Sequence, residues 1–311
     1  QTRYDALGEY GRMLVIAYPD FIDAMQPFVE WKNQKGIPCE IVDVDDVGAT
    51  ANQIKDYIAA EYQSNASLTF VLLVGDRAEI PTLTGASAGG DSDPSYALIE
   101  GSDSYPELFI GRFSAQNVDH VNTQVERTVH YEKEIIDGEW LHKGTSIASD
   151  QGTGDDGEYD YQHQNNIRDK LLDFTYTEID QFYDNNGGSV SACMAALNEG
   201  RSTINYTGHG STTSWGNGAP LDNDDVNQLT NDYKLPFINS VACVNGEFSY
   251  SSCFAETWLR ATNNQTGAPT GAIAFYGSSV NQQWNPPMRG QDHAVDLLVG
   301  YDYSANQPLE A

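Results

Sequence analysis

Residues 68–76 read LTFVLLVGD, a nearly unbroken apolar run that stops at Gly75-Asp76. A run of this length, closed by a turn signal, suits a strand buried on both faces. Upstream lie two more such strands, GRMLVIAY at 11–18 and PCEIVDVDDVG at 38–48. Between the three lie DAMQPFVEWKNQKG at 23–36, helical in spacing and closing at Gly36, and TANQIKDYIAAEYQS at 50–64, capped by Thr50. Strand–helix alternation with apolar strands predicts a parallel sheet covered by helices on both faces.

Residues 77–116 interrupt the rhythm with Gly, Ser and Asp clusters and then ELFIGRFSA, and an amphipathic helix is predicted over 117–136. The alternation then resumes. Strands are predicted at 144–150, 176–184, 202–210, 235–244 and 270–279, with helices at 160–173, 189–200, 221–232 and 253–262. The expected class is α/β, with two subdomains, 1–141 and 142–311. Each is a mostly parallel sheet flanked by helices, an αβα sandwich.

No apolar run approaches the ~18 residues of a membrane helix, so a membrane span is excluded. With 45 Asp and Glu against 16 Lys and Arg, the net charge of −29 repels phosphate backbones and argues against nucleic acid as a partner. The acidity fits a solubility or salt-adapted surface, a set of cation sites, or a field favouring basic substrates. Salt screening beyond ~8 Å confines that field to local action. A start at Gln1 rather than Met favours a processed chain. The four cysteines are irregularly spaced, without CxxC, and HExxH is absent. Cys39 and Cys193 read as ordinary buried thiols.

Cys243 stands in an unusual context, LPFINSVACVNGEF at 235–248, and His209 in another, INYTGHGSTTSW at 204–215. In an open parallel sheet the loops after strand C-termini gather on one edge, where ligands bind. His209 and Cys243 follow successive strands and so fall on neighbouring loop tips. A thiolate is a nucleophile, and an imidazole beside it can take its proton. The flanking glycines leave room for a peptide carbonyl, and the N–H groups of Gly210 and Cys243 can form an oxyanion hole. Taken singly, a strand-end Cys is more often a core thiol and a His among glycines more often a turn. Together, in the order His then Cys, they match caspase-type peptidases and reverse the papain order.

Several longer blocks extend the comparison: FVEWKNQKG, FVLLVGD, FIGRFS, HYE, NYTGHGS, VACVNG, CFAE, PTG and NQQWNPPMRGQD. On these blocks most of the chain resembles the gingipain family of cysteine peptidases, the arginine-specific gingipains above all. The resemblance implies a caspase-like fold and an extracellular, precursor-derived endopeptidase acting on protein or peptide substrates with basic residues. It also implies a His209/Cys243 dyad with Gly210 as an oxyanion donor. Two features depart from the pattern. Where arginine-specific gingipains carry a glutamate, this chain reads IASDQG, with Gln151 at the matching place and Asp150 beside it. Either Asp150 orients the histidine or the dyad works without a carboxylate. The chain also closes at YDYSANQPLEA, where family domains continue, so the remainder is expected on a separate processed chain or trimmed away.

A pocket for a long cationic side chain needs apolar walls and a terminal carboxylate. Trp284 and Met288 suit the walls, Asp160 the charge, and Gln282 joins them from the same loop; the resemblance places an arginine pocket there. The plainer alternative is that Asp160 caps its helix and Trp284 packs. Asp103 and Glu107 flank Tyr105 in GSDSYPELF, Asp76 ends a strand, and Glu158 and His163 lie in GEYDYQH. Alone these read as solvated acidic loops. The resemblance implies calcium ligands there, with main-chain oxygens of Glu100 and Tyr105, the ion joining the two subdomains. A non-catalytic caspase-fold binding protein and a metal-dependent hydrolase are the competing classes, and no ligand spacing supports the latter.

Overall fold

The computed structural model describes residues 10–64, 67–135 and 138–300. The closing stretch 301–311, which bears on the processing expectation, lies outside them. The chain divides into one unit running to Val129 and another starting at His130. The division falls inside the helix Val118–Lys133, ahead of the expected boundary at 141.

The first unit contains β1 (Arg12–Ala17), α1 (Ile22–Lys35), β2 (Cys39–Asp43), α2 (Ala51–Ser64), β3 (Leu68–Val74), β4 (Phe109–Phe113) and α3 (Val118–Lys133). Its strands form one parallel sheet in the order β2-β1-β3-β4. Successive side chains of a strand point to opposite faces. On β1, Leu14 and Ile16 therefore join Ile54 and Ile58 of α2, while Val15 and Ala17 join Met25 and Phe28 of α1. Apart from Ala17, each of these buried side chains contributes roughly 1.5–3 kcal/mol. α1 stops where Gly36 adopts φ 97°, a left-handed conformation that glycine accepts without steric cost. α2 starts with a reciprocal cap between Thr50 and Gln53.

The second unit contains β5 (Lys143–Ala148), α4 (Asp160–Phe174), β6 (Glu178–Tyr183), α5 (Val190–Glu199), β7 (Thr203–Thr207), β8 (Phe237–Val241), α6 (Phe254–Arg260), β9 (Ala274–Tyr276) and α7 (Asn285–Leu298). Its parallel sheet has the order β9-β8-β7-β5-β6. Every residue of β7 is buried, as expected of a strand covered on both faces. Trp215 stacks on Tyr206 with ring centroids 4.7 Å apart and donates its indole N–H to Ser240 at 3.0 Å.

Three predicted elements differ. The helix expected over 221–232 is a single turn, Asn223–Val226, capped by Asp222. The strand expected over 270–279 contracts to β9. The segment after β9 was expected as loop, yet it becomes the fourteen-residue α7. Pro286 and Pro287 stand in its first turn, where a missing N–H costs nothing.

Candidate active site

β7 and β8 are adjacent and in register from Thr203↔Phe237 to Thr207↔Val241. Their C-terminal loops therefore emerge side by side, one carrying His209 and the other Cys243. Gly210 shows how close they lie. A Cβ on Gly210 would stand 2.7 Å from the Cys243 carbonyl oxygen and 2.8 Å from the Ala242 Cβ. Only glycine fits there. Asn245, fully buried, joins the same two loops: its Nδ2 donates to the carbonyls of Ser211 (2.7 Å) and Ser214 (3.0 Å), and its Oδ1 accepts from Ser240 (2.9 Å). The Val-Asn-Gly after Cys243 thus supplies the tie. Val244 turns the chain at φ 50°, and the N–H groups of Val244 and Gly246 donate to Val280 (3.0 Å) and Ser278 (2.9 Å).

The His209 backbone is held at both ends. Its N–H donates to Asn217 Oδ1 at 2.9 Å, and its carbonyl accepts from Tyr206 Oη at 2.5 Å and from Gly216 N–H at 2.9 Å. Asp184 in turn accepts from Asn217 Nδ2 at 2.8 Å. The ring is addressed separately: Nε2 lies 2.9 Å from Gln151 Oε1. An amide oxygen only accepts, so this contact puts the proton on Nε2 and leaves a lone pair on Nδ1. The residue meeting the imidazole is therefore Gln151, not the neighbouring Asp150. Cys243 is half-buried, and its Sγ–H donates to the Gln282 carbonyl at 3.8 Å. Gln282 thus meets the thiol through its backbone.

Asp160 is fully buried at the start of α4. Its carboxylate does not cap the helix, whose N-cap is Tyr159. Instead Oδ2 accepts from the Ser149 hydroxyl, and Oδ1 from the Trp284 indole N–H at 2.6 Å. Burial pushes this carboxyl above its ordinary range, opposed by the Ser149 and Trp284 hydrogen bonds. Trp284 is shared: its ring meets His209 edge-on at 5.1 Å between centroids. Met288, fully buried on α7, presses on the loop leading to Asp160. The second unit thus brings together His209, Gly210, Cys243, Gln282, Asp160, Trp284 and Met288. Asn217, Asn245, Ser149 and Gln151's contact are additions that no local pattern announced.

Each unit carries some of the expected cation ligands. In the first unit Glu107 accepts from the N–H groups of Ile99 (2.6 Å) and Glu100 (3.2 Å), and Asp103 from that of Tyr105 (2.9 Å). These bonds fold 100–107 into one loop carrying two carboxylates and the Glu100 and Tyr105 carbonyls, an all-oxygen set suited to a hard cation. Asp76 accepts from Arg77 N–H and the Gln116 amide, both at 2.7 Å. In the second unit His163 Nδ1 meets Glu158 at 2.8 Å, with Asp292 at 3.6 Å, while its Nε2 faces Gln291 at 3.0 Å. That group centres on a buried imidazole engaged at both nitrogens, a poor match for calcium.

The fold of the second unit, with histidine and cysteine on adjacent parallel-strand ends, is that of the caspase-like α/β proteins. The chain belongs to peptidase family C25, whose profile matches residues 7–305. Gingipain R2 of Porphyromonas gingivalis is 43% identical over 306 residues, covering 96% of this chain and 41% of that protein. Lys-gingipain of the same organism is 31% identical over 287 residues, covering 88% of this chain and 16% of that protein. Among solved structures, the Arg-specific cysteine proteinase gingipain R (RGPB) superposes with a TM-score of 0.91 at 42% identity, over 97% of this chain and 70% of that one. The chain thus spans less than half the length of the curated relatives it matches. Among the described residues no helix is long and apolar enough to cross a membrane.

Proposed function

We propose that this chain is a secreted cysteine endopeptidase, processed from a precursor, that cleaves peptide bonds after arginine and less readily after lysine. His209 Nδ1 takes the Cys243 proton, and the thiolate attacks the scissile carbonyl. The N–H groups of Gly210 and Cys243 receive the oxyanion. As the C–N bond breaks, the imidazolium returns its proton to the leaving amine, and water then hydrolyses the thioester. The observation that carries the specificity is the fully buried Asp160 carboxylate, bonded by two neutral donors, with no cation paired to it among the described residues. A guanidinium can bond it with two parallel N–H donors, which an ammonium cannot. A peptide library is expected to show cleavage after Arg at least about tenfold ahead of Lys, with uncharged residues poorer still. Equal cleavage after Arg and after Leu or Ala would end this reading.

The 100–107 loop is proposed to hold a structural calcium through Asp103, Glu107 and the carbonyls of Glu100 and Tyr105. Chelation is expected to lower Tm, and Asp103→Asn with Glu107→Gln is expected to abolish that response. A Tm indifferent to chelator removes calcium from the account.

A further inference from the structure

The proposed arginine pocket has two walls that are far apart in sequence. One is the loop between β5 and α4, which presents Gln151 to His209 and ends at Asp160. The other is the segment entering α7, with Trp284 and Met288. For a guanidinium to meet Asp160 while its methylenes lie along Trp284 and Met288, these walls must keep a fixed separation.

Between β5 and α4 the loop contains no regular element longer than the single turn Asp155–Gly157. It contains Gly152, Gly154 and Gly157, and Asp156 adopts φ 52°. Its internal ties include backbone bonds from Gly154 N–H to Glu158 (2.8 Å), Gly157 N–H to Gly154 (3.3 Å), Glu158 N–H to Asp155 (3.2 Å) and Asp160 N–H to Gln151 (2.8 Å). An isolated antiparallel bridge of Gly152 with Tyr159 and the Gln151 N–H bond to Ser149 Oγ (3.0 Å) complete them. Its end is tied to the α7 segment by the Trp284–Asp160 hydrogen bond (2.6 Å); its middle is tied by two further contacts, one residue apart on each partner, with Asp156 adding a looser ion pair to Arg289 at 3.9 Å. At Gly154 a Cβ would stand 2.3 Å from Met288 Sδ and 3.3 Å from Trp284 Cδ1, so the loop backbone lies directly on both wall residues. At the next position Asp155 meets Arg289, with Nε to Oδ2 at 3.0 Å and Nη2 to Oδ1 at 2.8 Å. Two-pronged bonding fixes direction as well as distance. The Asp155 side chain is 8% exposed and that of Arg289 61%, so solvent screens the pair from one side only. The Arg289 hydrogen bond holds the Asp155 carboxyl below its ordinary range.

We propose that the Asp155–Arg289 pair is the latch that holds the two walls of the arginine pocket in register. Both are positioning residues, acting through Asp160 and Met288, and the inference rests on the arginine reading above. The pair is placed to govern how well a long cationic side chain is gripped rather than how reactive the thiol is.

The test uses the full chain, with arginyl and lysyl peptide substrates, iodoacetamide as a probe of Cys243, and Tm. Asp155→Asn and Arg289→Met are each expected to raise KM for the arginyl substrate about 5–10-fold, as loss of one half-buried two-pronged pair would. Arg289→Lys, which keeps the charge but not the fork, is expected to recover little of that loss. Iodoacetamide alkylation of Cys243 is expected to stay within about twofold of wild type, because the thiol is not the target of the latch. The double variant is expected to lose no more than either single one, since both remove the same interaction. Lowered Tm with unchanged KM overturns the latch and leaves the pair a structural one, and additive KM losses overturn it as well. A wild-type enzyme without arginine preference overturns the latch together with the reading beneath it. Preserved preference with insensitive variants overturns the latch alone.

Discussion

Replacing Cys243 with alanine is expected to lower peptide hydrolysis by roughly four orders of magnitude or more, because no other group offers the nucleophile. His209→Ala is expected to follow it closely. The fold should survive both changes, for a structural reason. The two loops are held together by Asn245 on Ser211, Ser214 and Ser240 and by the contact of Gly210 with residues 242 and 243, none of which involves the thiol or the imidazole. Gln151→Ala is expected to cost only about tenfold in kcat with KM unchanged, as for a residue that orients the base without touching substrate. A peptidyl electrophile bearing arginine should label wild type at Cys243 and leave His209→Ala almost unlabelled, read by mass. Substantial turnover in Cys243→Ala would remove the assignment.

The parallel sheets were legible from strands such as LTFVLLV, which becomes β3; β7 is buried throughout although Thr203, Asn205 and Thr207 are polar, so its place depended on the alternation around it. The adjacency of His209 and Cys243 was legible because successive strands of such sheets are usually neighbours, as β7 and β8 are, although β5 intervenes between β6 and β7. Other features depended on information a local pattern lacks. Neighbouring residues in extended chain point to opposite sides, so choosing between Asp150 and Gln151 needs the register of one loop. The sequence leaves both open, and the fold presents the amide of Gln151. α7 was hidden by Pro286, Pro287 and Gly290, which read as loop although two prolines in a first turn begin helices well. Asn217 acts on His209 from eight residues on, after the hairpin of Gly210–Ser211 with Ser214–Trp215 has folded back. The run at 221–232 carries acidic residues that suit a helix start, yet Asp222 caps only one turn.

Asp160→Asn is expected to reduce kcat/KM for arginyl substrates by about a thousandfold, because a guanidinium buried against a neutral amide loses both its charge partner and one acceptor. Lysyl substrates should fall as well, and alkylation of Cys243 by iodoacetamide should hardly change. The local structure can persist, since an asparagine still serves both neighbours: its oxygen can accept from the Trp284 indole, and its nitrogen can donate to the Ser149 hydroxyl. Stability should move the other way from activity. Burial raises the Asp160 carboxyl above the ordinary 3.8, so the folded chain holds that proton more firmly than the unfolded one. This stabilising contribution is complete below the unfolded value and is lost as pH rises through the folded one. Above the raised value the wild type keeps a buried charge that awaits a cation, and the asparagine variant is expected to be at least as stable there. The same protonation sets the acid limb for arginine: kcat/KM should climb as pH rises through the raised value, since only the carboxylate pairs with the guanidinium. Profiles of Tm and kcat/KM against pH for both proteins test the argument together. A variant that keeps arginine cleavage within tenfold of wild type, or that is markedly less stable above the raised value, would show that Asp160 is a structural carboxylate rather than the floor of the pocket.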